Sequence, residues 1–188
     1  MSLEIWFGPM FAGKSSAIIG TLRRNAFIGR TTLCITHALD KRYSDNSRIV
    51  THDMVSYPAK ALSELMPLLE TAEFKGAAYI IVEEAQFFKD LRNFALEAVE
   101  KHGKHLICVG LNGDAERKPF GEVIELVPYA DQVKYFSALC SVCSDGTAGI
   151  FSFRSTKQVK EQVFVGAEKD YMALCRRHYL LATQEKLD

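Results

Sequence analysis

Four short runs of the chain are apolar almost without interruption: Ile5-Trp6-Phe7, Thr32 to Thr36, Tyr79 to Val82 and His105 to Val109. Runs of this length without alternating polar positions fit strands buried on both faces, the condition of a parallel sheet covered by helices. Between them the period lengthens. Lys14 to Phe27 sets Ala17, Ile18 and Leu22 on one side and stops at Gly29. Leu91, Phe94, Ala95, Ala98 and Val99 keep i, i+3, i+4 spacing as far as Gly103. Strands alternating with helices predict an α/β domain. Later the pattern fades: residues 144–160 sustain no period, Gln162 to Gly166 reads as extended, and Tyr171 follows.

Composition narrows the class without changing the fold. With 188 residues, 48% hydrophobic and 24% charged, the chain is long enough for one α/β domain, expected over residues 1–138, and a small appendage over 139–188. Lys plus Arg and Asp plus Glu are 23 each, so the net charge is zero, which argues against nucleic acid bound by bulk electrostatics and favours a small partner. No apolar run approaches the roughly 20 residues that a membrane span needs, and Met1-Ser2-Leu3-Glu4 lacks a signal-peptide layout. The expectation is a soluble cytoplasmic protein with no membrane partner.

Directly after the first strand comes Gly8-Pro9-Met10-Phe11-Ala12-Gly13-Lys14-Ser15, which meets GxxxxGK[ST] at every fixed position and opens the first helix. Strand, glycine-rich loop and helix in this order make an anion site, because loop N–H groups and the helix N-terminus converge on phosphate oxygens. Lys14 would reach the β- and γ-phosphates and Ser15 would ligate Mg²⁺. Glu83 and Glu84 close the run Tyr79 to Val82. An acid at a strand end commonly just faces water, but beside a P-loop it places a carboxylate near the metal, at the end of a strand expected to lie next to the first. Arg23, Arg24 and Arg30 read as a solvated helix face, whereas Arg42, shortly after a strand, reads as a phosphate contact.

The five cysteines divide unequally. Cys34 and Cys108 sit alone in apolar runs, while Cys140-Ser141-Val142-Cys143 and Cys175-Arg176-Arg177-His178 form a CxxC and a CxxH pair. Two such pairs supply the four ligands of a tetrahedral Cys₃His structural zinc site. His37, His52, His102 and His105 have no comparable partners and read as structural or surface residues.

The P-loop, Asp40-Lys41-Arg42-Tyr43, Thr51-His52-Asp53, Glu84-Ala85-Gln86-Phe87-Phe88, Gly110-Leu111-Asn112-Gly113 and Arg117-Lys118-Pro119-Phe120-Gly121 together resemble, in order and over essentially the whole chain, the type II thymidine kinases. The resemblance implies transfer of the γ-phosphoryl of ATP to the 5′-hydroxyl of thymidine. It implies that Gly8, Pro9, Met10, Phe11, Ala12, Gly13, Lys14 and Ser15 hold ATP, together with Asp40, Lys41, Arg42, Glu83 and Gln86. Glu84 matches the family's general base, and Glu83 with Ser15 falls on the Mg²⁺ side. Met10, Phe87 and Leu111 match positions around the base, core packing being the plainer alternative for Phe87 and Leu111. Gln162, Val163, Phe164, Val165 and Gly166 match a zinc-anchored lasso that reads thymine through its backbone, and Tyr171 a substrate-contacting tyrosine. A homotetramer and feedback by thymidine triphosphate are implied in the same way. Two positions depart from the pattern: Glu83 stands where Asp is usual, and Ala115 where an aromatic residue is frequent. A rival reading of the residues alone is a P-loop ATPase or switch whose zinc module binds nucleic acid or protein. Zero net charge and the lack of a basic aromatic stripe oppose it, and the intact Lys14 and Ser15 oppose an inactive zinc module.

Overall fold

The computed structural model describes residues 1–40, 48–50, 54–155, 162 and 170–187. In chain order the elements are β1 (Ser2–Phe7), α1 (Lys14–Phe27), β2 (Thr32–His37), β3 (Arg48–Val50), β4 (Ser56–Pro58), β5 (Lys60–Leu62), α2 (Ala72–Gly76), β6 (Tyr79–Val82), α3 (Leu91–Leu96) and β7 (His105–Gly110). After them come β8 (Gln132–Tyr135), β9 (Ala138–Leu139), β10 (Ala148–Gly149), β11 (Phe151–Arg154), β12 (Tyr171–Leu174) and α4 (Arg176–Leu187).

Six strands build one parallel sheet in the order β5-β2-β6-β7-β1-β8. The uninterrupted apolar runs have the expected cause. On one face Leu3, Ile5, Ile35, Ile80, Val82 and Leu106 pack under α2 and α3 through Phe74, Leu91 and Phe94. On the other, Trp6, Cys34, Ile81, Ile107 and Val109 pack under α1 through Ile18 and Leu22. Because successive side chains point to opposite faces, a strand with two covers must be apolar at every position. The helix that starts at Leu91 continues through a π-type turn over Glu97–Lys101, and Gly103 closes it at φ 64.

Two expectations change. β6 does not lie beside β1, because β7 separates them; α1, packed across the sheet face, brings the P-loop helix to the end of β6 instead. The stretch 144–160 is not without structure, since β10 and β11 lie in it. β11 pairs antiparallel with β12, Arg154 opposite Tyr171, and β10 with β9. Around these short strands a third apolar cluster gathers Cys140, Phe153, Leu174 and Tyr179. No helix among the described residues is long and apolar enough to cross a membrane.

Candidate active site

The turn between β1 and α1 needs glycine at two places for different reasons. Gly13, the residue before α1, holds a left-handed φ of 77. At Gly8 a Cβ would lie 2.2 Å from the Phe136 carbonyl oxygen. The turn delivers the N-terminus of a 14-residue helix with no acidic residue in its first turn, and the positive end of a helix dipole favours an anion there. The Lys14 ammonium folds over the loop and donates to the Pro9 carbonyl at 2.6 Å and the Gly8 carbonyl at 3.2 Å.

Across the sheet end the two adjacent acids go to different partners. Glu83 is buried, and its Oε1 accepts a 2.5 Å hydrogen bond from the Ser15 hydroxyl. A hydroxyl and a carboxylate joined in this way are hard oxygen donors suited to Mg²⁺. Glu84 has a left-handed backbone, φ 53 and ψ 37, which costs a non-glycine residue about 1–3 kcal/mol and is typical of functional positions. The Gln86 side-chain amide donates to Glu84 Oε2, and Gln86 Oε1 accepts the Leu111 N–H at 3.0 Å. Gln86 is buried, so one amide fixes both an acid and a wall of the cleft.

These groups surround an open cleft. Its glycine-rich-loop side is lined by Met10, Phe11, Ala12, Gly13, Lys14 and Ser15, with Asp40, Glu83, Glu84 and Gln86 beside them. Its apolar side is lined by Phe87, Leu111, Ala115 and Phe120, with Gln162 and Tyr171 at the rim. Gly8 and Pro9 belong to the loop but do not line the cleft. Lys41, Arg42, His52, Val163, Phe164, Val165 and Gly166 lie outside the described residues. Burial pushes the Tyr171 phenol up, against the opposing charge and hydrogen bond of Arg154.

Residues missed in the sequence also take part. Ser152 lines the cleft, and its Oγ accepts the Met10 N–H at 2.9 Å, tying β11 to the P-loop. The alternation Phe151-Ser152-Phe153-Arg154 was the available signal, four residues of period two inside an irregular stretch. Asp114 joins the rim, where its Oδ2 accepts from the Gln162 amide at 2.8 Å. His37 is buried against Phe87 and Phe88, and its Nδ1 accepts the Leu39 N–H at 3.0 Å. Burial lowers its pKa, outweighing the Ser63 carbonyl and the carboxylates of Glu84, Asp90 and Asp40. A neutral His37 thus props the turn whose Asp40 N–H returns to the His37 carbonyl.

Away from the cleft, one ligand atom each from Cys140, Cys143, Cys175 and His178 lies within 4.8 Å of all the others. His178 Nδ1 is 3.5, 3.3 and 3.4 Å from the sulfurs of Cys140, Cys143 and Cys175, and the last two sulfurs are 3.8 Å apart. Edges of this length are those of a tetrahedron about an ion with metal–sulfur bonds near 2.3 Å and metal–nitrogen bonds near 2.0 Å. Burial works to raise the Cys140 thiol, but the N–H groups of Cys175, Cys143 and Val142 and the His178 hydrogen bond outweigh it and bring the pKa to about 6, whereas burial and the neighbouring thiols push Cys143 up to about 11. The donor set fits a divalent metal bound through thiolate.

Comparison with known proteins bears on the cleft. The thymidine kinase family model matches residues 1–179. A thymidine kinase of rice is 37% identical over 182 residues, covering 95% of this chain and 66% of the rice protein. The human cytosolic thymidine kinase is 36% identical over 180 residues, covering 94% of this chain and 72% of its own length. A fowlpox virus thymidine kinase is 34% identical over 178 residues, with 94% and 95% covered. The chain therefore spans about two thirds of the rice relative and nearly all of the viral one.

Proposed function

Because the chain belongs to the thymidine kinase family, we propose that its cleft transfers the γ-phosphoryl of ATP to the 5′-hydroxyl of thymidine. The observation that carries the reading is the pairing of Ser15 with Glu83 beside a second acid, Glu84, held by a different partner. Phosphoryl transfer needs one carboxylate for the metal and another for the incoming hydroxyl.

Residues 8–15 hold the phosphates, with Asp40, Lys41 and Arg42 beside the γ-phosphoryl. Ser15 and Glu83 would hold Mg²⁺, which supplies charge neutralisation on the phosphate oxygens when bound. Glu84 takes the proton of the 5′-hydroxyl as that oxygen bonds to the γ-phosphorus and the bond from phosphorus to the β–γ bridging oxygen breaks, releasing ADP. Lys14 meets the charge on the transferring group. Met10, Phe87 and Leu111 enclose the base, and residues 162–166 with Tyr171 close over it.

Residues 1–138 form the ATP-binding part and residues 139–188 the zinc and lasso part, a division supported by the separate apolar cluster around Cys140, Phe153, Leu174 and Tyr179. The Cys₃His group takes structural zinc. Cytoplasmic location agrees with the name of the human relative, and a homotetramer with feedback by thymidine triphosphate completes the reading.

Two measurements check it. ADP formation should require thymidine and equal thymidine monophosphate mole for mole; ADP formed at the same rate without nucleoside would make the protein an ATPase. Elemental analysis should find one zinc per chain, and because structural zinc contributes on the order of 10–16 kcal/mol of apparent binding free energy in small metallo-domains, chelation should expose 139–188 to proteolysis before the main sheet unfolds. A metal-free protein that is active and protease-resistant would remove the zinc assignment.

A further inference from the structure

Tyr179 follows His178 directly, and its backbone N–H donates to the carbonyl of Cys175 at 2.9 Å. Two members of the metal cluster therefore fix where its ring stands. The ring is 3% exposed and packs on Phe151 and Phe153 at centroid distances of 5.1 and 6.0 Å. Its hydroxyl leaves this cluster altogether and donates to the Ala115 carbonyl at 2.7 Å. Ala115 lines the cleft, as do Gly113 and Asp114.

The turn that holds Ala115 is stiff in itself. Asp114 Oδ1 accepts the N–H groups of Glu116 and Lys118, both at 2.9 Å, and the Asp114 N–H donates to the Lys118 carbonyl at 2.9 Å. Arg117, at a left-handed φ of 64, lays its guanidinium 4.6 Å from the Tyr179 ring centroid and 5.5 Å from that of Phe151. One tyrosine thus receives both a carbonyl and a cation from the same pocket-lining turn. A rigid turn fastened at one buried point moves as a unit with that point.

We propose that Tyr179 is a positioning residue that couples the Cys₃His cluster to the nucleoside-binding wall at Ala115, so that metal and nucleoside strengthen each other's binding. The proposal rests on the kinase reading of the cleft. Tyr179 touches neither reactant, and its effect belongs to thymidine affinity and not to the chemical step.

Tyr179→Phe keeps the ring and removes the hydroxyl. In the zinc-loaded enzyme it should raise KM for thymidine about 3- to 10-fold, the range of one lost hydrogen bond, with kcat, KM for ATP and zinc content within about twofold of the parent. Binding linkage is reciprocal, so saturating thymidine should make the parent hold zinc against a chelator by a similar factor, and Tyr179→Phe should lose most of that effect. Arg117→Gln, at an exposed position that poses little threat to folding, should raise the same KM and combine with Tyr179→Phe by less than the product of the two effects. An unchanged thymidine KM in zinc-replete Tyr179→Phe, or thymidine-linked zinc retention surviving in it, would overturn the coupling while leaving the kinase reading standing. A parent enzyme with no thymidine-dependent turnover would remove both.

Discussion

Lys14→Ala should reduce phosphoryl transfer by about 10³-fold or more while leaving the fold intact. The size follows from the place of the charge. In a water-poor phosphate site, one lost donor to developing charge typically costs 10²- to 10³-fold in kcat, and Lys14 carries a full positive charge. Folding should be spared because the core under α1 is made by Ile18 and Leu22 against Ile81, Ile107 and Val109, whereas the Lys14 ammonium donates to the Gly8 and Pro9 carbonyls of the loop. Steady-state turnover beside a thermal unfolding curve checks both halves. Near-normal turnover by a folded Lys14→Ala enzyme would contradict the P-loop assignment.

Glu84→Gln should slow turnover about 10²- to 10⁴-fold, the usual contribution of a positioned general base. The amide keeps the size of the side chain and can still meet Gln86, so thymidine and ATP affinities should change little. Glu83 serves as the internal contrast. Glu83→Gln should chiefly raise the Mg²⁺ concentration needed for half-maximal rate, and Glu83→Asp, which restores the family's usual residue, should remain active with Ser15 still its partner. Single-turnover rates against Mg²⁺ for the three variants separate the roles. Unimpaired chemistry in Glu84→Gln would refute the base assignment whatever happens at Glu83.

The parts of this design that were legible in the sequence are those written in local spacing. Gly8 to Ser15 between a strand and a helix, the double-covered strands, and the CxxC and CxxH pairs each state their geometry within a few residues. What stayed hidden depends on tertiary pairing. β8 is an edge strand whose Gln132-Val133-Lys134-Tyr135 is mostly exposed, so it lacks the apolar run that marked the inner strands. β5 is only three residues, Lys60-Ala61-Leu62. β11 shows only a four-residue alternation, the shortest that signals a strand, inside a stretch that otherwise sustains no period. At the site, the join of Met10 to Ser152 links positions 142 residues apart, and no local pattern announces it. The neighbour order of β1, β7 and β6 was likewise invisible, since spacing along the chain does not say which parallel strand lies beside which. The reach of Tyr179 to Ala115 is of the same kind: a tyrosine after a metal ligand reads as core until its hydroxyl is seen to cross.

The most direct test of the account follows one oxygen atom. Thymidine carrying ¹⁸O in its 5′-hydroxyl is incubated with the enzyme, Mg²⁺ and ATP, and the products are weighed by mass spectrometry. Thymidine monophosphate that retains the ¹⁸O is expected, one molecule for each ADP formed, if the nucleoside oxygen itself attacks the γ-phosphorus. Orthophosphate in place of the nucleotide, with thymidine recovered unchanged, would contradict it.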